Sequence, residues 1–238
     1  MRRVATGLTT TVRVSKPIIE RYPDYRAILV RATDVVCGPS SRASIGLLLD
    51  AEAQIRYRFS ETTIAADPHV VAWRRAYASF GAKPSRYHCS VEALARRALK
   101  RDLAPINLLV DAYNAVSLMH MVPIGGEDSG RLAGDLVLRF ATGVELFETA
   151  ENGGNETTSV EAGEVIWADD LGVTCRRWNW RQCDRTAIGN AVGTAYFVID
   201  ALDPCSPSCL DASASSLAQS LQLVSPGCHI DMQALPRS

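Results

Sequence analysis

Asn107, Asp111 and Asn114 recur at i, i+4 and i+7 in a run whose other members, Leu108, Leu109, Ala112 and Val116, are apolar. One helix would therefore carry a polar stripe of two amides and a carboxylate. Such a stripe either caps and ties neighbouring loops, a common use of Asn and Asp, or lines a polar pocket. Ser117 and the Pro123-Ile124-Gly125-Gly126 loop that follows favour the pocket. A Gly125-Gly126 pair admits close backbone approach to a ligand and offers N–H groups to an oxyanion.

The densest peculiarity is Arg176-Arg177-Trp178-Asn179-Trp180-Arg181-Gln182-Cys183-Asp184-Arg185-Thr186, which holds two of the four tryptophans. Trp and Arg together stack bases or clamp a carboxylate or phosphate. The same composition also suits a Trp-anchored loop plugging the core, its arginines paired to acidic residues elsewhere. Both readings stay open on sequence alone.

Standard catalytic equipment is missing. The four histidines (69, 88, 120 and 229) are scattered, and Cys205 and Cys209 form one pair without a second, so no metal site is expected. There is no phosphate-binding lysine loop, dinucleotide fingerprint or serine elbow. No cofactor is expected, and any chemistry must rest on positioning.

The elements that would hold these residues read as follows. An aliphatic strand spans 28–36, a helix spans 44–59, and another opens after Pro68 and stops at Gly81. Ser90 serves as N-cap for a third helix with Val91, Leu94, Ala95, Ala98 and Leu99 on its inner face, leaving Arg96, Arg97, Lys100 and Arg101 exposed. A fourth covers 107–118. Short strands follow at 135–141, 144–148, 164–169 and 173–178, with Thr142-Gly143 as a tight turn between the first two. Asn152-Gly153-Gly154-Asn155 marks a loop. A strand at 194–202, with a helix possible just before it, precedes a Ser-rich stretch, a weak helix at 217–223 and an apolar tail. The class is α+β, a helical N-terminal part packed on a mostly antiparallel sheet.

The chain has 238 residues, 47% apolar and 21% charged, proportions that exclude wholesale disorder. Its net charge of −1 argues against a protein that coats nucleic acid through bulk charge. That balance hides a division. Residues 69–101 carry +7, from Arg74, Arg75, Lys83, Arg86, Arg96, Arg97, Lys100 and Arg101 against Glu92 alone, whereas 102–170 carry −11. Such a distribution can orient an anionic partner on one face, although it also suits an ordinary solvated surface. No run approaches the ~18–20 apolar residues of a membrane span. The first seven residues lack the apolar stretch of a signal peptide, and seven irregularly spaced cysteines imply no disulfide framework, so a cytoplasmic location is expected.

The order of several motifs resembles a known family. Pro105 through Asn114, then Pro123-Ile124-Gly125-Gly126, Gly163-Glu164-Val165 and Trp178-Asn179-Trp180-Arg181 through Thr186 are similar to the B3/B4 domain. That domain edits in the beta subunit of bacterial phenylalanyl-tRNA synthetase and also occurs free-standing. The resemblance covers about residues 70–202 of a single expected domain, with 1–69 a strand and helix extension and 203–238 a C-terminal helix and tail. The stretches Trp73-Arg74 to Lys83-Pro84 and Ser90 to Leu94 resemble the free-standing members. Nothing resembles a synthetase catalytic core.

The resemblance implies hydrolysis of wrongly charged aminoacyl-tRNA. Such an ester needs a positioned water, an oxyanion donor and the terminal ribose hydroxyl, which suits a chain without a triad. Asn114 matches the pocket asparagine of the family's Val-Asp-x-x-Asn motif, here Val110-Asp111-Ala112-Tyr113-Asn114. Gly125 stands where the synthetase has a pocket histidine, and the Trp-Asn-Trp-Arg segment replaces its Gly-Gly-Glu segment, so the amino acid and the water-positioning group stay unassigned. Asn114, Gly125 and Gly126 are thus the expected catalytic positions. Asn107, Asp111, Ser117, Asn179, Trp180, Arg181, Asp184, Thr186 and Thr194 are expected at the substrate, and the eight basic residues of 69–101 at tRNA. The expected partner is a tRNA acceptor end with its amino acid, with a synthetase as a further candidate and neither DNA nor membrane. Two alternatives remain: a non-catalytic module binding tRNA or an amino acid, and an enzyme on a small amino-acid ester or amide.

Overall fold

The computed structural model describes residues 10–60, 62–151 and 154–235. In chain order, β1 (Val12–Val14), α1 (Lys16–Arg21), β2 (Arg26–Thr33), α2 (Arg42–Arg58), α3 (Pro68–Ser79), α4 (Ser90–Lys100) and α5 (Leu108–His120) precede a strand-rich half. That half contains β3 (Ile124–Asp128), β4 (Leu136–Phe140), β5 (Leu146–Glu151), β6 (Gly154–Ser159), β7 (Val165–Ala168), β8 (Val173–Arg176), β9 (Arg181–Gln182) and β10 (Thr194–Ala201). Then come α6 (Pro207–Val224) and β11 (His229–Ala234). The fold is α+β.

One sheet runs β11-β2-β10-β3, antiparallel throughout; a second runs β1-β4-β7-β8-β9, with β1 parallel to β4. Side chains alternate across a strand, and both faces of the four-stranded sheet are apolar. Ala27 and Leu29 of β2 with Tyr196 and Val198 of β10 pack into a cluster that includes α2, α3 and α4. Ile28, Val30 and Ala32 with Ala195, Phe197 and Ile199 pack into another that includes α5 and α6. This explains the unbroken apolar reading of β2 and β10.

Several local expectations are corrected. Cys89, not Ser90, is the N-cap of α4, and Ser90 is its first helical residue. Thr142-Gly143 is not a hairpin turn, because β4 pairs with β1 and β7 whereas β5 pairs with β6. There the Glu145 carboxylate accepts from the Thr142 and Gly143 N–H groups. Of the expected 152–155 loop, Gly154 and Asn155 belong to β6, while Asn152 and Gly153 lie outside the described residues. Gly125-Gly126 lies in β3 rather than in a loop. β8 stops at Arg176 because Arg177 and Trp178 adopt left-handed backbone, with φ of 46° and 68°. No helix precedes β10 in the described residues at 188–193. The Ser-rich stretch instead forms α6, started by Ser206 Oγ accepting from Cys209 N and by Pro207 in its first turn. The tail beyond it forms β11.

Candidate functional site

A cavity of about 200 Å³ lies between α4, α5, β3, the β8–β9 segment and β10. Helical spacing brings Ser90, Ala93 and Arg97 from α4 to its wall, and α5 adds Tyr113, Asn114 and Ser117. Alternation along the strands brings in Gly125 and Glu127 from β3 and Val198 and Asp200 from β10. Asn179, Trp180, Arg181 and Gln182 complete it, with Trp167 and Cys175 from the second sheet. Asn114, Gly125 and Arg181, far apart in sequence, therefore surround one space. An apolar cavity of ~150 Å³ admits benzene, so this one has room for an amino-acid side chain.

Two carboxyl groups in the wall are nearly inaccessible. Asp200 is 2% exposed; its Oδ1 accepts from Tyr25 Oη at 2.6 Å and its Oδ2 from Asn179 Nδ2 at 3.2 Å. Burial, outweighing those hydrogen bonds, raises its pKa to about 7. Glu127, 7% exposed, accepts from Gln182 Nε2 at 2.6 Å, and burial raises it to about 8 despite its hydrogen bonds with Thr186 and Gln182. Burial thus favours the protonated form of both carboxyls, of Glu127 more than of Asp200, a division that suits paired acid and base work. Burial pushes the Cys175 thiol well up, which leaves it a poor nucleophile. Ser90 Oγ, shielded from solvent in the wall, has no hydrogen-bond partner among the described residues.

The Trp-Arg segment combines both of its expected readings. Trp178 is fully buried, edge-on to Tyr22, Tyr25 and Trp73. Arg176 makes a two-pronged pair with Glu164 at 3.0 and 2.8 Å, Arg177 donates its N–H to the same carboxylate, and Arg185 grips Asp169. With these anchors fixed, Asn179, Trp180 and Arg181 turn to the cavity. The Arg177 guanidinium, 3.8 Å from the Tyr87 ring centre and 4.6 Å from that of Trp180, backs the Trp180 wall.

Of the other expected site residues, all but Ser117 lie off the wall. Asn107 caps α5, accepting from Val110 N and donating to Ile188 O. Asp111 accepts from Ser44 Oγ and Ile106 N, both at 2.8 Å. Those two members of the polar stripe tie loops; Asn114 faces the cavity. Gly126 is covered by Ile188, whose Cδ1 would sit 2.7 Å from an added Cβ, and its carbonyl accepts from Gln182. Thr186 is buried beside Cys183 Sγ, and Asp184 is exposed. Thr194 sits at the start of β10, opposite Thr33. Ser117 reaches the cavity wall, yet its hydroxyl donates to Val122 O.

The basic segment is less free than its count suggests. Glu92, 0% exposed, accepts from Arg74 and from Arg96 Nε at 2.8 Å, tying α3 to α4. Burial alone would raise its pKa; the two guanidiniums hold it below the usual range. Arg96 is therefore half-buried and paired, a correction to its expected exposure. Arg75, Lys83, Arg86, Arg97, Lys100 and Arg101 are exposed, and only Arg97 of these lines the cavity.

Sequence reading missed Asp200, Glu127, Gln182 and Tyr113. The signal for Asp200 was a lone charge inside the apolar run 195–202; that for Glu127 was a carboxylate directly after the diglycine.

The B3/4 domain model matches residues 72–213, more than half of the chain. The chain belongs to the B3/4 domain family. No curated protein matches it. Among solved structures, an N-terminal fragment of the phenylalanyl-tRNA synthetase beta-subunit from Pyrococcus horikoshii is similar at 9% identity and a TM-score of 0.48. The alignment covers 96% of this chain and 55% of that fragment, so the chain spans about half of the fragment's length. Within the B3/4 region lie every cavity-lining residue named above. Among the described residues no helix is long and apolar enough to cross a membrane.

Proposed function

We propose that this B3/4 protein is a trans-acting hydrolase that removes a mischarged amino acid from tRNA. The observation that carries the reading is the burial of Asp200 and Glu127 in a cavity with Arg97 and Arg181 on its wall. In this reading the aminoacyl group enters the cavity and its ester lies near Asn114 and Gly125. Ionised Asp200 takes a proton from a water as the water oxygen bonds to the ester carbonyl carbon. Asn114 orients the ester and Arg181 faces the developing oxyanion. Collapse of the tetrahedral intermediate breaks the bond to the ribose oxygen, which takes a proton from neutral Glu127, leaving free tRNA and the amino acid. The proton on Asp200 and the vacancy on Glu127 are then reset through solvent. Confinement and positioning lower the barrier for an ester that is already activated.

The test is deacylation of a panel of mischarged tRNAs at enzyme excess and low salt. Release of at least one amino acid, abolished by Asp200→Asn, is expected. Indifference to every member, with salt-dependent binding of uncharged tRNA, would make the protein a binding module instead. Turnover of simple amino-acid esters that survives Arg96→Glu with Arg97→Glu, without turnover of any charged tRNA, would place the activity on small molecules.

A further inference from the structure

Behind the Trp180 wall lies a separate pocket of about 230 Å³, between the α3–α4 loop, the β6–β7 turn and the residue that follows β8. Phe80 and Tyr87 supply its rings, and Lys83, Arg86 and Arg177 its cations. Arg177 is the unusual member. Its side chain is 6% exposed, yet its guanidinium makes no hydrogen bond among the described residues. The carboxylate oxygen beside it, Glu164 Oε2, stands 3.5 Å away and already accepts from Arg176 at 2.8 Å. Burial holds the Arg177 guanidinium below the ordinary arginine range, as expected of a buried cation that shares its carboxylate with a second arginine. The stack on Tyr87 and Trp180 fixes the guanidinium plane without occupying its N–H donors. Lys83 and Arg86 are exposed and, among the described residues, have no ion pair. Glu161 borders the pocket too, without an ion pair to any of the three. With Arg176 counted, Lys83, Arg86, Arg176 and Arg177 stand against Glu161 and Glu164, a surplus of two positive charges.

We propose that this pocket binds a phosphate dianion, inorganic phosphate or a small phosphomonoester, with Arg177 donating to its oxygens and Lys83 and Arg86 completing the shell from the rim. A guanidinium edge supplies paired N–H donors that suit phosphate oxygens. A dianion matches the surplus charge, whereas a carboxylate or one phosphodiester of RNA supplies half of it. The rings of Phe80 and Tyr87 keep water from one flank, which strengthens the attraction between the charges. None of the lining residues belongs to the ester cavity, so the site stands or falls apart from the hydrolase reading.

The test titrates inorganic phosphate, phenyl phosphate and the diester dimethyl phosphate into the full chain by calorimetry at fixed ionic strength. Saturable binding of at least one of the first two is expected, about tenfold or more tighter than that of the diester. Whichever of the two binds tighter identifies the source, and either result supports the site. Arg177→Lys keeps the charge but loses the fork, and should weaken binding about tenfold or more. Lys83→Gln with Arg86→Gln should weaken it several-fold. Arg75→Gln removes an exposed cation outside the pocket and should stay within about twofold. No saturable binding of either dianion would overturn the proposal, as would a diester that binds equally well. An equal loss in Arg75→Gln would overturn it by showing general surface charge at work. Should Arg177→Lys fail to fold, the exposed double variant decides, and an unchanged affinity there overturns the site.

Discussion

Asn179 Nδ2 donates to Asp200 Oδ2 across 3.2 Å, while Asn179 Oδ1 accepts from Tyr77 Oη at 2.9 Å. One amide thus joins the Trp-anchored segment to both β10 and α3. Tyr25 holds the other oxygen of Asp200. Each carboxylate oxygen has a second lone pair, so Asp200 is fixed in orientation yet keeps capacity to accept a proton.

This arrangement predicts a pH–rate profile. Asp200 has its pKa raised to about 7 and Glu127 to about 8, so the single-turnover rate should climb as pH rises toward 7 and fall again as Glu127 ionises above about 8. Asp200→Asn should cut the rate about 10²–10⁴-fold. Affinity for a non-hydrolysable aminoacyl analogue should be unchanged. A wild-type rate that is flat from acid to neutral pH would remove Asp200 from the role.

Glu127 makes a prediction about stability. Its folded pKa, about 8, lies far above the ordinary glutamate value of 4.5, so the folded state holds the proton more tightly than the unfolded chain. The stability linked to that proton is full below the unfolded value and is lost as pH rises through about 8. Glu127→Gln cannot titrate and can still accept from Gln182. Thermal unfolding across pH 5–9 should therefore show the variant gaining on the wild type as pH rises. A constant difference in Tm would refute the assignment.

The two adjacent glycines should separate. Nothing lies within 4 Å of a Cβ added at Gly125, so Gly125→Ala should change stability by less than about 1 kcal/mol, while altering the cavity wall. At Gly126 the new methyl would meet Ile188 at 2.7 Å and the Phe197 ring at 3.1 Å, and Gly126→Ala should cost about 1–3 kcal/mol. Denaturant titration of both variants checks the contrast.

Asp111→Ala removes the acceptor for Ser44 Oγ and Ile106 N; Ser44 Oγ can still donate to Ser41 O at 3.2 Å, whereas the part-buried Ile106 N–H loses its partner. A loss of about 1–3 kcal/mol is expected. Amide exchange at Ile106 should accelerate more than at Val110, whose N–H is held by Asn107. Equal exchange at both amides would show that Asp111 does not fasten the loop.

Much of the helical half can be read directly from sequence. Pro68 in the first turn with Asp67 capping behind it starts α3, and Asn107 caps α5. Only the C-terminal part of α6, at 217–223, was expected, because serine favours caps and turns, which masked the helical spacing of Leu210 and Ala214 with Leu217 and Leu221. The polar stripe on α5 was visible as a stripe, but periodicity alone could not divide loop-tying Asn107 and Asp111 from cavity-facing Asn114. Asp200 and Glu127 were hidden because a strand shows which face a carboxylate takes only once its neighbours are placed. The side assigned to β10 residues depends on its pairing with both β2 and β3, which is non-local.

Glu92 has a consequence for ionic strength. With one of the two charges of Arg74 and Arg96 offset by its buried carboxylate, at most seven of the eight positive charges in residues 69–101 are left to displace condensed counterions from RNA. The logarithm of any RNA association constant would then fall with the logarithm of salt at a slope no steeper than about −6 from this face. The internal ion pair therefore spends one of the segment's eight positive charges inside the fold before any polyanion arrives.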